Sequence, residues 1–449
     1  MLIAGCRAAP NPTQNPETTM TIDRRTFLQT TAVLATLSGA GCASVDPASQ
    51  MAKGEAGKVN TAALKASADK ILSAGVSSGD VPGVVAAATN REGMIYQGAF
   101  GSTVLGSGTP MTVDTVVWIA SMTKAITGLA AMQLVEQGKL SLDDPASRII
   151  PELGTVKVLD GWDGDTPRLR APKRPITLRH LLTHTAGFSY SLWNTDIGKY
   201  EKVMKVPDII TCQNAALTTP LIADPGEQWN YGINIDFAGK MVEAVSGMRL
   251  GDYLAKNVFT PMGMNSSGFK ITPSMRGRLA KIHQRGDDGK LTPIDLEIPQ
   301  APEFEMGGGG LYSTAGDYLA FVRMMLNNGK ANGNQILKPA TVAEMSRNSM
   351  GNIKVKMLKT AAPSATNDAE FFPGMPKNWG LSFMINEQQA PTGRSAGSLA
   401  WAGLANSYYW IDQQKGVGGV YLSQILPFAD VKALPQFYAF EKAVYQSLA

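Results

Sequence analysis

The chain has 449 residues, 44% of them hydrophobic and 17% charged. That is enough apolar material for one large or two interlocked domains, and too much for a disordered chain. The 41 basic residues are set against 37 acidic ones, a formal charge of +4; spread along the whole chain, they exclude the concentrated basic face that nucleic acid requires and leave a small, uncharged substrate as the default.

The first elements read as an address. "DRRTFLQTTAVLATLSGAGCAS" sets Arg24 and Arg25 before Thr26, Phe27 and Leu28, then a short apolar run that ends in small residues. This resembles a Tat-type export signal over residues 1–43 and predicts a periplasmic or secreted protein. The run falls short of the roughly 20 residues a membrane span needs. Cys42 is a candidate lipid anchor, although Gly39 stands where the lipid-attachment motif carries leucine, and Met20 is as good a start as Met1. A small polar linker covers 44–58. Export would remove or modify Cys6 and Cys42, which leaves Cys212 with no intramolecular partner, so no disulfide is expected and Cys212 reads as a small buried hydrophobe.

From residue 59 the spacing of Leu64, Ile71 and Leu72 predicts a helix, and "GVVAAATNREGMIYQGAFG" predicts two strands around a turn from Asn90 to Gly93. An amphipathic helix is expected from Ser121 to about Gly138, followed by the turn-rich connector "SLDDPASRIIPEL". Residues 151–300, rich in proline, glycine and short helical patches, read as a mostly helical lobe. A second hairpin through Gly416 and a closing helix interrupted by Pro435 complete the chain. The expected fold is α/β (α+β): an antiparallel sheet flanked by helices, built from 59–150 and 301–449, closed by both chain ends and carrying the 151–300 lobe as an insert.

Histidine, the common hydrolase base, occurs only 3 times. His180 and His184 lie four apart, but Leu181, Leu182 and Thr183 between them supply no glutamate for a zinc hydrolase, so a structural role is expected and no metal or organic cofactor. "GVSSG" at 75–79 and "GRSAG" at 393–397 match G-x-S-x-G, yet neither follows the strand that gives that elbow its meaning. Of the S-x-x-K pairs in the chain, two bear on the question. Ser67 and Lys70 fall on a polar helix face. Ser121 and Lys124 follow Val116, Val117, Trp118 and Ile119 and precede an apolar helix, which predicts a buried pair at a helix N-terminus. Three apart on a helix, the two side chains face the same way; burial favours the neutral amine, the form able to accept the serine's proton.

A second proton handler and an oxyanion cradle are offered by Tyr231 in "WNYGINIDF" and by the small-residue strand "AWAGLANSYYWID". The ordered set of "SMTK", "YGI" and "WAG", with "ITLRHLLTHTAGF" and "GGGGLYSTAGDYLAF" between them, resembles the serine β-lactamase-related hydrolases. Within them it most resembles the family VIII carboxylesterases, which share the class C β-lactamase fold, and the likeness runs from about residue 60 to the C-terminus. The resemblance implies that Ser121 is the acylated nucleophile, Lys124 its partner base and Tyr231 the proton shuttle. Trp401 and Gly403 take the first and third places of the edge-strand motif, and the Leu404 and Ser121 amides form the oxyanion hole. Which of Lys124 and Tyr231 is the primary base stays open, since coupled groups titrate together.

Two departures matter. Where β-lactamases and penicillin-binding enzymes carry K-T-G, whose lysine helps hold a substrate carboxylate, this chain has Trp401. Where class C enzymes end the tyrosine motif in asparagine, Tyr231 is followed by Gly232 and Ile233, and Asn234 comes one residue late. An indole in place of a cation suits uncharged esters, while Arg394 is a candidate substitute cation. The leading expectation is a serine hydrolase of small carboxylic esters. The alternatives are a β-lactamase or D-amino-acid peptidase, an acyltransferase, and a non-catalytic peptidoglycan-binding relative.

Overall fold

The structure is a computed structural model that describes residues 59–448. The export-signal, linker and Cys42 readings fall outside those residues. Asn60 starts the first helix, α1 (Thr61–Ser77), by accepting the Ala63 N–H at 3.0 Å, and Leu64, Ala68 and Leu72 make its buried stripe. The hairpin β1 (Gly83–Asn90) and β2 (Met94–Gly101) follows, its turn closed by the Asn90 side chain, which accepts from the Glu92 and Gly93 amides at 3.1 and 2.9 Å.

Five strands from the C-terminal third extend this hairpin: β3 (Lys377–Trp379), β4 (Met384–Asn386), β5 (Leu399–Gly403), β6 (Ser407–Asp412) and β7 (Val417–Leu422). The sheet order is β3-β4-β5-β6-β7-β1-β2, antiparallel throughout. Chain-distant segments therefore meet at β1 and β7, where Val85 pairs with Leu422 and Asn90 with Val417. Side chains alternate between the two faces of β6. Tyr408 stacks on Phe437 at 4.7 Å and Trp410 packs on Phe437 and Phe440, whereas Tyr409 meets Tyr318 at 5.0 Å. Both faces are thus covered, and every residue of β6 is buried.

Two further helices cover the sheet, α4 (Ala315–Leu326), which carries Tyr318, and α5 (Ala433–Gln446), which carries Phe437 and Phe440, while α2 (Thr123–Glu136) packs against α3 (Asn234–Ser246). The two ends of the described chain close on each other: Asn60 N–H donates to Ser447 O at 2.9 Å, and Gln436 donates to the Ile71 carbonyl at 3.0 Å. The segment from 151 to 300 combines short helices with a hairpin of Val158–Asp163 and Thr166–Arg170; its strands Ile282–Arg285 and Leu291–Ile294 join Ile425–Leu426 in a separate small sheet. No described helix is long and apolar enough to cross a membrane.

Two local expectations need correction. Pro435 does not interrupt the closing helix; it occupies the first turn of α5, where a backbone N–H has no intrahelical acceptor to lose, and Asp430 caps that turn by accepting from Ala433 N–H at 2.9 Å. The helix after Ser121 is not amphipathic. In α2 every residue from Thr123 to Leu134 is buried, because the sheet domain lies on one side and α3 on the other, so apolar residues occupy all faces.

Candidate active site

Ser121 sits in a one-turn 3-10 segment, Ala120–Met122, between the short strand Val117–Trp118 and α2. Ala120 holds a left-handed φ of 44°, an uncommon state for a residue with a Cβ, and its surroundings explain how it is held. Gln424 clamps the Trp118 backbone, accepting from its N–H at 3.1 Å and donating to its carbonyl at 3.0 Å. The "GGGGLYS" run is laced to the same turn: Trp118 Nε1 donates to Gly309 O at 2.7 Å, Thr127 Oγ1 to Gly307 O at 2.7 Å, and Leu311 N–H to Thr123 Oγ1 at 3.1 Å. The nucleophile candidate is therefore displayed on a fixed backbone.

Lys124 is fully buried. Its Nζ donates to Ser121 Oγ at 3.1 Å, to the Tyr190 hydroxyl at 3.1 Å and to Gly308 O at 2.6 Å, and it lies 4.6 Å from the centre of the Tyr231 ring. Burial presses its pKa down to about 7, with the charge of Asp236 acting in the opposite direction. The Tyr231 hydroxyl accepts the Trp401 indole N–H at 2.9 Å. Burial raises the Tyr231 pKa, while hydrogen bonding from Ser121 and Trp401 favours the phenolate. Ser121, Lys124, Tyr231 and Trp401 are thus brought into one cluster.

Gly403 ends β5 against the nucleophile turn. A Cβ there would lie 2.3 Å from the Ile119 carbonyl oxygen, so only glycine lets the strand end approach this closely. Leu404 follows at once, and with Ser121, Tyr231 and Trp401 it lines a cavity of about 240 Å³. The walls are largely apolar, including Trp118, Ile209, Leu296, Met306 and Phe428, and Asp208 at the rim is the one charged residue among the lining side chains.

Arg394 does not supply the substitute cation. It is buried away from the cavity in a bidentate pair with Glu441 at 2.6 and 2.8 Å. Asn234 turns to His184, its Nδ2 lying 3.0 Å from His184 Nδ1, and takes no part in contacts with Lys124. His184 packs against Tyr231 and Trp379, and burial drives its pKa well down. His180 belongs to the capping box of the helix Leu178–Leu182. Among the described residues no cluster of three His, Cys, Asp or Glu could hold a metal ion. Ser67, Lys70 and Ser77 are exposed on α1. Cys212 is buried with its thiol pushed up to about 12, so little thiolate forms at neutral pH.

Sequence reasoning missed two side chains. Tyr190, half-buried against Lys124 and Tyr231, comes from the loop after "THTAGF", where one aromatic among several gave no spacing signal. Asp236 is 1% exposed in the first turn of α3. A lone acid between Ile235 and Phe237 in an otherwise apolar run was the available sign.

Residues 68–441 match the protein-family model described as Beta-lactamase. A lovastatin esterase of Penicillium rubens is 33% identical over 369 residues, covering 78% of this chain and 91% of that protein. A monacolin J acid methylbutanoyltransferase of Aspergillus terreus is 31% identical over 388 residues, covering 82% and 93%. The structure of EstCE1, a hydrolase with promiscuous acyltransferase activity, superposes with a TM-score of 0.70 at 27% identity, covering 86% of this chain and 99% of that one.

Proposed function

Since the chain belongs to the beta-lactamase family and is an enzyme of the serine hydrolase and acyltransferase fold, we propose that it cleaves small uncharged carboxylic esters through an acyl-enzyme on Ser121. The observation that carries this reading is the buried Lys124 amine, 3.1 Å from the Ser121 hydroxyl and held near neutrality by desolvation. Near pH 7 a large fraction of such an amine is uncharged and able to act as a base.

In the proposed reaction the Ser121 proton passes to Lys124 as Oγ bonds to the ester carbonyl carbon. The negative charge on the carbonyl oxygen is stabilised by the Ser121 and Leu404 backbone amides. Collapse breaks the carbon–alkoxy bond, and the departing alkoxide takes a proton through Tyr231. Water then enters along the same route in reverse and releases the acid. Trp401 fixes the phenol of that relay through its indole N–H. Apolar walls without a cation favour an uncharged acyl group over the carboxylate that lactams and D-Ala-D-Ala peptides present.

A second reading, transfer of the acyl group to an alcohol, has its own support. A cavity of this polarity admits an organic alcohol as readily as water, and the matched relatives include an esterase and a methylbutanoyltransferase. Arg24 and Arg25 support Tat-dependent export, to be checked by loss of the secreted pool when both are changed to lysine.

The deciding experiment is intact mass spectrometry with p-nitrophenyl butyrate, with and without an added alcohol. A transient butyryl adduct on Ser121, absent in Ser121→Ala, is expected, with turnover lowered by at least about 10³-fold in that variant. Undiminished turnover by Ser121→Ala, or nitrocefin opening that outpaces the ester, would defeat the proposal.

A further inference from the structure

We propose that Asp236 is a positioning residue for Lys124: through Gly308 it fixes the amine against Ser121, and it supplies the buried negative charge that keeps the amine basic enough to take the serine's proton. The inference rests on the reading of Ser121 and Lys124 given above.

The geometry runs through one glycine. Asp236 Oδ1 accepts the Gly308 N–H at 2.8 Å, and the Gly308 carbonyl accepts from Lys124 Nζ at 2.6 Å. A Cβ at Gly308 would lie 2.5 Å from Asp236 Oδ2, so the carboxyl and the loop are packed without room for any other residue. The second oxygen, Oδ2, is buried and has no hydrogen-bond partner. A carboxylate recruited only to tie down a loop would be expected to have both oxygens satisfied. Here one oxygen is left free to act by charge, without a direct ion pair to Lys124.

The neighbouring groups leave Asp236 as the source of that charge. Facing the amine and the carboxyl are the phenols of Tyr190 and Tyr231, the imidazole of His184 and the thiol of Cys212, while the Asp208 carboxyl of the cavity lining acts on Tyr190 and not on Lys124. Burial pushes the phenols and the thiol up and the imidazole down, so all four are neutral around pH 7. Burial also presses both members of the pair toward neutrality, Lys124 down to about 7 and Asp236 up to about 6, and each one's charge resists the other's shift. When the Ser121 proton arrives on Nζ, the resulting ammonium faces a carboxylate and is not an isolated buried cation. The working form is therefore a free amine beside an ionised carboxyl, two protons fewer than the acid form.

The test measures the pH dependence of Ser121 phosphonylation by a fluorophosphonate, read by intact mass on the full chain. In the wild type the rate should fall about hundredfold per pH unit below both ionisations, because two protons must leave. Asp236→Asn keeps an acceptor for the Gly308 N–H and removes the charge. Its high-pH plateau should lie well below that of the wild type, its rate should fall only about tenfold per unit, and the midpoint should move to lower pH, since the charge that raised the proton affinity of Lys124 is gone. Asp236→Glu should restore the two-proton limb. A one-proton limb in the wild type, or an unmoved midpoint in the asparagine variant, would overturn the proposal. If that variant does not fold, the wild-type slope alone decides. Labelling away from Ser121 would overturn the parent reading and this one together, and the site of the adduct separates that failure from a failure of Asp236 alone.

Discussion

Two serine–lysine pairs in the chain share one four-residue spacing and differ in everything else. Ser67 and Lys70 stand exposed on α1, and no hydrogen bond joins them among the described residues. Ser121 and Lys124 are joined at 3.1 Å, with the amine fully buried and bound at the same time to Tyr190 and Gly308. In water an ammonium holds its proton across the physiological range. Desolvation, opposed by the charge of Asp236, brings the second lysine's pKa down to about 7, so burial, and not spacing, separates the two pairs.

The sharpest way to break this contrast is Lys124→Met. It keeps a side chain of similar length and removes the base, so kcat for p-nitrophenyl butyrate should drop about 10³-fold, within the usual contribution of general base catalysis. Circular dichroism reports whether the fold survives. Retention of more than about a tenth of the activity would mean that burial of this amine is not what drives the chemistry.

A smaller effect is expected at the strand edge. Trp401→Phe removes the donor to the Tyr231 hydroxyl but keeps an aromatic ring against Tyr231 and Trp379, whose centres lie 5.0 and 4.6 Å from the indole. Loss of one buried hydrogen bond is worth about 1 to 1.5 kcal/mol, or roughly tenfold in kcat. KM should change little, because the bond acts on the relay and not on the substrate. A rise in KM at constant kcat would instead make Trp401 a wall of the binding cavity and nothing more.

The antiparallel hairpin at Asn90, the closing of the sheet by both chain ends and the meeting of Ser121, Lys124 and Tyr231 were legible in the sequence. The first two depend on local turn chemistry and apolar patterning, and the third on ordered motifs that outweigh any single spacing. What stayed hidden depends on contacts between distant segments. Tyr190 and Asp236 reach Lys124 from 66 residues downstream and from α3, and Arg394 was removed from the site by a partner, Glu441, that nothing near it in sequence announces. Burial of α2 on all faces was missed for the same reason: an alanine-rich helix looks one-sided until a second helix is known to cover its other side.

The smallest effect belongs to the exposed copy. Changing Ser67 to Ala and Lys70 to Met together should leave kcat and KM within about twofold, because neither side chain touches the cavity or the core. Stability should move slightly upward. Alanine and methionine favour the helix interior at least as well as the residues they replace, by a few tenths of a kcal/mol for serine, and the Lys65–Asp69 pair on the same helix is untouched at 2.5 Å. For a chain of this size that is a rise in Tm of about half a degree. A loss of activity here would tie the outer helix to catalysis through α5, which packs on it by the Gln436 bond to Ile71, and the contrast between the two pairs would then be one of distance and not of kind.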